Sequence, residues 1–333
     1  MEVYFLDVGQ GTCQIILLGK RRAIVVDCGL KNDELALRFL KRYGVETVEA
    51  LVISHSHDDH IGGAISILND YQDRIEKLCF VQDDVFLQSR FWERVKEFIH
   101  QGVLSQNQLA RLECTADPQV IWSDGPVSLN TYSPTAGINL LAQSAGVQNA
   151  TSAVLFFDVA KNRIVFAADS EVGQWRDIHQ RVGPISCSVL AVPHHAGKSH
   201  QSSADLNWLF GTAIQPQVAI VSVGTSNTHN HPREDVVRAL RACGASVLCT
   251  QITKKCSSNL ESLRPGVLSP PIIPARSSAT IEQTAAGHSR NVACAGTVLA
   301  HIDANRVNVD RLAQHQAAVD RLACSTYGSP LCR

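Results

Sequence analysis

The sequence predicts a layered α/β architecture with one composite site at the ends of its strands, and three observations lead there. Short apolar runs of strand type alternate with stretches of helical spacing over most of the chain. Those runs repeatedly end on His, Asp or Asn, as happens where a rigid sheet delivers reactive side chains to one edge. Eight of the thirteen histidines fall within residues 55–60 and 194–231, and none lies between His100 and His179.

At 333 residues, 45% hydrophobic and 18% charged, the chain can bury a full core in one large domain or two smaller ones. A formal net charge of −1 argues against a protein that coats nucleic acid or acidic membrane, but leaves room for a local basic rim. The opening Met1-Glu2-Val3-Tyr4-Phe5-Leu6 lacks the basic segment and cleavage site of a signal peptide. No apolar run approaches the ~18–20 residues of a membrane span. The eleven cysteines are odd in number, and Cys13, Cys28, Cys79, Cys187 and Cys249 sit in apolar runs, as buried thiols do in a reducing compartment. A cytoplasmic protein is expected.

Residues 3–18 read as a strand, a glycine turn and a second strand, and residues 22–26 as a third strand that ends on Asp27-Cys28-Gly29. Ala36, Phe39, Leu40 and Tyr43 have the i, i+3, i+4, i+7 spacing of a helix. The run Leu51–Ile53 leads into Ser54-His55-Ser56-His57-Asp58-Asp59-His60-Ile61-Gly62-Gly63, with a helix expected from Ala64 to Lys77. A short strand at 78–82 precedes an amphipathic helix over Val85–Gln101, and Asp124-Gly125 turns a hairpin. The uncharged stretch Pro134–Asn149 reads as a loop over the site. Strands at 152–159 and 163–168 end on Asp169, and one at 188–192 ends on Pro193-His194-His195. A further strand at 217–223 leads to Asn227, His229 and His231, before a helix at 234–243 and a strand at 246–252. These elements assign residues 1–256 to one domain. Prolines 265, 270, 271 and 274 mark 257–291 as a linker, and 292–333 as a small strand–helix appendage.

Five ionisable residues within positions 55–60, at the end of an apolar strand, form the centre of this pattern. Burying each unpartnered costs ~1–3 kcal/mol, and a bound metal removes that cost, since imidazole and carboxylate are its normal ligands. In an extended loop residues i and i+2 point the same way, so His55 and His57 are expected to grip one ion. Asp59 and His60 grip a second, Asp169 bridges the two, and either His194 or His195 completes the second position. Two such ions, zinc or manganese, lower the pKa of a shared solvent molecule, which becomes the nucleophile. Asp27 is expected behind a ligand histidine, orienting it.

The run His-Ser-His-Asp-Asp-His-Ile-Gly-Gly resembles the HxHxDH signature of metallo-β-lactamase-fold hydrolases. Within them the chain is similar to the hydrolase domain of DNA-uptake competence proteins of the ComEC type. The landmarks that carry this are Leu6-Asp7-Val8-Gly9-Gln10-Gly11, Asp27-Cys28-Gly29, Asn149, Ser152, Asp169, Pro193-His194-His195-Ala196-Gly197 and Ser222 through Asn227 to His231-Pro232. They span residues 3 to about 256, and the metal motif is specific for the fold. The resemblance implies an αββα sandwich, a bound metal pair and phosphodiester hydrolysis, of DNA above all. Other members carry a third histidine for the first metal in mid-chain. Here Asn149 stands in its place, as in the competence subgroup, and an amide oxygen is the weaker ligand. The first metal is therefore expected to be loosely held, or to favour manganese.

For the substrate, Lys198, Ser199 and Asn227 are candidate phosphate-binding groups along with Asn149, and His229 or His231 a candidate general acid. Ten Lys/Arg against seven Asp/Glu over residues 151–256 fit a phosphate-facing rim. The expected partner is a nucleic acid or a small phosphodiester, as in phosphorylcholine esterases, and not a membrane. The competing class is a metal-binding sensor or scaffold without turnover. A complete HxHxDH with Asp169 argues against it. A separate structural zinc site is a further candidate, built from Cys256, Cys294, His315 and Cys332 or Cys324. The irregular spacing, with no CxxC, fits buried thiols better.

Overall fold

Alternation along the strand Thr47–Ile53 explains how the layers form. Successive strand side chains point to opposite faces, so Ala50 and Val52 enter one apolar cluster while Leu51 and Ile53 enter another. A computed structural model describes residues 1–30, 34–197, 202–257, 273–277, 279–280, 291–324 and 328–333. Its main strands are β1 (Glu2–Phe5), β2 (Gln14–Leu17), β3 (Arg22–Val26), β4 (Thr47–Ile53), β5 (Leu78–Phe80), β6 (Leu109–Arg111), β7 (Gln119–Asp124), β8 (Val127–Ser133) and β9 (Val154–Val159). They continue as β10 (Asn162–Phe166), β11 (Ile185–Ala191), β12 (Ile214–Val221) and β13 (Ser246–Cys249). The short pair β14 (Ala279–Thr280) and β15 (Val292–Ala293) is followed by β16 (Val298–Ile302) and β17 (Val307–Val309).

Eight strands form one sheet in the order β17-β16-β1-β2-β3-β4-β5-β6, and seven form the other in the order β13-β12-β11-β10-β9-β8-β7. Val3, Phe5, Val26, Val52, Leu155, Phe157, Val189 and Ile220 fill the space between them. Helices cover both outer faces. On the first sheet lie α1 (Leu35–Arg42), the short α2 (Asp58–Ile61), α3 (Ala64–Tyr71), α4 (Asp84–Gln88) and α5 (Arg90–His100), through residues such as Phe39, Leu68, Phe86 and Phe98. After α6 (Ala136–Ala145), the second sheet is covered by α7 (Val172–Val182), α8 (Ser203–Trp208), α9 (Glu234–Ala242) and α10 (Leu312–Ala323), through Trp175, Leu206, Leu240 and Leu322. The fold is the αββα sandwich of the metallo-β-lactamase fold.

Several elements differ from the sequence expectation. The single helix over Val85–Gln101 is two helices. Ser89 breaks it by accepting from Trp92 N at 3.1 Å and donating to Phe86 O at 2.7 Å, so it caps the second helix and ends the first. The helix from Ala64 stops at Tyr71, well short of Lys77. The expected loop over Pro134–Asn149 holds the ten-residue α6. Its start is fixed by Thr135, whose hydroxyl accepts from Ile138 N at 3.3 Å, while Gly137 and the absence of charge hide the helical pattern. The C-terminal segment does not stand apart: β16 pairs antiparallel with β1, matching Tyr4 to Leu299, and extends the first sheet. Most of the 257–291 stretch lies outside the described residues.

Candidate metal centre

Among the described residues, eight non-glycine residues have a positive φ, and six of them (Asp27, Ala168, His194, His195, Ala196 and Asn230) lie in the loops at the strand ends that carry the histidines and aspartates. Such conformations persist only where surrounding contacts hold them, and they gather at functional sites. Here they turn the chain sharply just past β3, β10 and β11, and in the loop after β12. Gly11 permits a close approach: a Cβ there would lie 2.6 Å from the Asp59 carbonyl.

Asp27 is the hub. Fully buried after β3, it accepts from Ser54 N at 2.8 Å, from Ser54 Oγ at 2.7 Å and from Thr12 Oγ1 at 3.1 Å. Its Oδ2 lies 2.7 Å from His60 Nδ1. That bond commits Nδ1 of His60 and leaves Nε2 facing Asp169 Oδ1 at 3.2 Å and Asp59 Oδ1 at 4.0 Å. His195 is held the same way: Nδ1 donates to Ser222 O at 2.9 Å, and Nε2 lies 3.2 Å from Asp59 Oδ2 and 3.6 Å from Asp169 Oδ1. His55 Nε2 and His194 Nε2 each lie 3.8 Å from Asp169 Oδ2. The His55, His60 and His195 Nε2 atoms and Asp169 Oδ1 are buried and make no hydrogen bond.

The electrostatics follow from this crowding. Burial opposes charge on His60, but Asp169 and Asp27 on either side outweigh it and hold the imidazole well above its ordinary pKa. Burial likewise opposes ionisation of Asp169, and His60 and His195 overcome it, holding its carboxyl well below the usual range. Asp59 is also lowered, with His195 and His60 prevailing over burial. His55, with burial and His60 both against it, falls to about 3 and is neutral.

Two groups of ligand atoms lie within 4.8 Å of one another: His55, His60 and Asp169, and Asp59, His60 and His195. Unpaired Nε2 and carboxylate oxygens aimed at one another are the donor set of a first-row divalent ion, so the residues fit the metals the fold calls for. His195 rather than His194 stands with Asp59 and His60. His194 lies instead on the His55 side, its Nε2 3.4 Å from Asn149 Nδ2, with Asn149 Oδ1 buried and unpaired. His57, expected with His55 on one ion, stands beside it with ring centroids 4.7 Å apart, and its Nε2 lies 2.7 Å from Gln148 Oε1.

A cavity of about 540 Å³ opens over these groups, lined among others by Gln10, His57, Asp59, His194, His229 and His231. His231 is buried and pinned, with Nδ1 3.3 Å from Gln10 Nε2 and its backbone N–H donating to Asn227 Oδ1 at 2.9 Å. Burial, with His195 and His194 nearby, lowers it to about 4. His229 is exposed, its ring 5.6 Å from that of His231. The amide N–H of Asn227 donates to the carbonyls of Gly224 and His231, so Asn227 shapes the loop. Lys198 and Ser199 lie outside the described residues. Sequence reasoning missed Thr12, Ser54, Gln10 and Gln148 as site residues. Each neighbours a motif residue, but only the folded chain shows what its side chain touches.

The metallo-beta-lactamase superfamily model matches residues 6–174, and the chain belongs to that superfamily of hydrolases. Among curated proteins it is similar to Recombination protein 2 of Haemophilus influenzae, 26% identical over 258 residues that cover 76% of this chain and 28% of that protein. It is similar too to ComE operon protein 3 of Bacillus subtilis, 24% identical over 271 residues, 75% of this chain and 32% of that one. The chain thus spans about a third or less of the length of these relatives. Among solved structures, the metallo-beta-lactamase fold protein YhfI of Bacillus subtilis aligns over 75% of this chain and 96% of its own at 12% identity, with a TM-score of 0.43. No helix among the described residues is long and apolar enough to cross a membrane.

Proposed function

We propose that the protein is a divalent-metal-dependent phosphodiesterase that hydrolyses DNA. The observation that carries this reading is the convergence of unpaired His55, His60, His195 and Asp169 ligand atoms at the floor of an open cavity of about 540 Å³. His60, His195, Asp59 and Asp169 would hold one ion, and His55, Asp169 and His194, with Asn149 Oδ1, a second. A metal pair supplies Lewis acidity toward phosphoryl oxygens and an activated nucleophile near neutral pH.

The chain's own residues do the rest. Asp27 and the Ser222 carbonyl fix the tautomers of His60 and His195, so both present Nε2 to the site. Gln10 and Asn227 hold His231 as part of the wall, which leaves the exposed His229 as the group that protonates the leaving oxygen. An amide in place of a third imidazole on the first metal supports a phosphodiester substrate, as do the names of the relatives, one of them a recombination protein. Nine buried thiols among eleven free cysteines support a reducing compartment, hence the cytoplasm.

The test is hydrolysis by purified protein with Mn²⁺ or Zn²⁺ of DNA, RNA and bis-p-nitrophenyl phosphate, with Asp59→Ala as control. Metal-dependent DNA cleavage lost in the control is expected. Cleavage of the small ester alone would replace this reading with a small-ester phosphodiesterase, and no cleavage with any metal would replace it with a sensor or scaffold.

A further inference from the structure

We propose a second metal site, remote from the candidate active site: a structural Zn²⁺ held by Cys294, His315, Cys332 and Cys256. The first three come from separate parts of the chain, namely the turn between β15 and β16, helix α10 and the C-terminal tail. Their ligand atoms nevertheless lie within 4.8 Å of one another, and Cys294 Sγ is 3.2 Å from His315 Nε2. Around a tetrahedral zinc with bonds of ~2.3 Å to sulfur and ~2.1 Å to nitrogen, adjacent ligand atoms stand about 3.5–3.8 Å apart, so only a small adjustment is needed. All three residues are at most 6% exposed.

Cys256 is the fourth ligand because its segment is tied to the tail that carries Cys332. Ser329 N donates to Cys256 O at 2.9 Å, and Ser257 bridges Gly328. The alternative in the sequence, Cys324, is exposed at the end of α10 and takes no part.

The competing account is a patch of apolar core that happens to contain thiols. The imidazole tells against it. His315 is 2% exposed, and its Nε2 meets the Cys294 sulfur at 3.2 Å rather than an apolar side chain. Binding of Zn²⁺ would then release three thiol protons to solvent and leave three thiolates and one neutral imidazole on the metal, with no change in oxidation state. The location suits a staple. The tail has little regular structure of its own, and the site joins it and α10 to the edge of the second sheet.

The experiment uses the full chain loaded with Co²⁺. A thiolate-to-cobalt charge-transfer absorption is expected, because the candidate active site offers only nitrogen and oxygen ligands. That absorption and one equivalent of tightly held metal should disappear in Cys294→Ser and in Cys332→Ser, and persist in Cys324→Ser. Both should also persist in Asp59→Ala, which separates this site from the catalytic reading. If the cysteine variants fail to fold, a mercurial titration of the zinc-loaded wild type serves instead, with zinc expected to leave in step with thiol capture. A cobalt protein with no thiolate absorption overturns the site, as does zinc release unrelated to thiol capture. So does an intact mass lower by two hydrogens that maps to a Cys294–Cys332 disulfide.

Discussion

The side of the candidate active site built on Asp59, His60 and His195 and the side built on His55, His57 and His194 use the same residue types at very different levels of order. On the first side every imidazole is braced from behind, His60 by Asp27 at 2.7 Å and His195 by the Ser222 carbonyl at 2.9 Å. Both rings are almost completely buried. On the second side only His55 is buried to that degree and braced, its Nδ1 3.1 Å from Ser54 Oγ, while His57 is bound to Gln148 and His194 leans on an amide. A braced ligand loses little freedom when an ion arrives, whereas an unbraced one must first be ordered or released. The two positions should therefore differ in affinity although both are rich in histidine.

Four experiments test this asymmetry. The largest effect is expected from complete metal removal: exhaustive dialysis against a chelator should abolish hydrolysis, and Mn²⁺ should restore it. Full activity in a verified metal-free sample would contradict the whole site. Under graded chelation, metal should leave in two phases, the first ion coming from the His55 side.

Next comes Asp59→Ala. Losing a ligand to the braced position removes several kcal/mol of transition-state stabilisation, so kcat/KM should fall roughly 10³-fold. The braced ion should be missing from the metal content.

Asp27→Asn is milder. It keeps the shape but removes the charge behind His60, and metal affinity at the braced position should fall roughly 10–100-fold, with the other position nearly unchanged. Equal weakening of both positions would show that the two sides are not independent.

The smallest change is Gln148→Ala. It frees His57 from a hydrogen bond with a net worth of about 1 kcal/mol, so affinity at the loose position should rise about fivefold. If affinity there falls instead, Gln148 is itself part of the site. Manganese titration followed by calorimetry reads both outcomes.

Legibility in the sequence follows the same division. The braced side could be read because Asp59 and His60 are adjacent in a dense motif and Asp27 ends an apolar strand. The role of His57 could not, since the residue that captures it lies 91 positions away. Nor could the choice between His194 and His195. Adjacent in sequence, they adopt nearly the same backbone conformation, with φ of 53° at each, and diverge only in what each ring meets. Asn227 illustrates a similar limit: a polar residue in a loop near a site looks the same in sequence whether it faces substrate or caps its own loop. Helix α6 is not legible in the sequence because its uncharged stretch shows no clear amphipathic stripe and carries Gly137 next to its start.

The sequence by itself determined the layered α/β class, the positions of most strands and the identity of the residues that meet at their ends. These depend on local periodicity and on the cost of burying ionisable groups, both of which are written in short windows. Tertiary structure alone decided which imidazole faces which carboxylate, that the C-terminal strand β16 joins the first sheet beside β1, and that Cys294, His315 and Cys332 come together. Those outcomes depend on contacts between residues from 21 to about 300 positions apart, which only the packed chain brings into register.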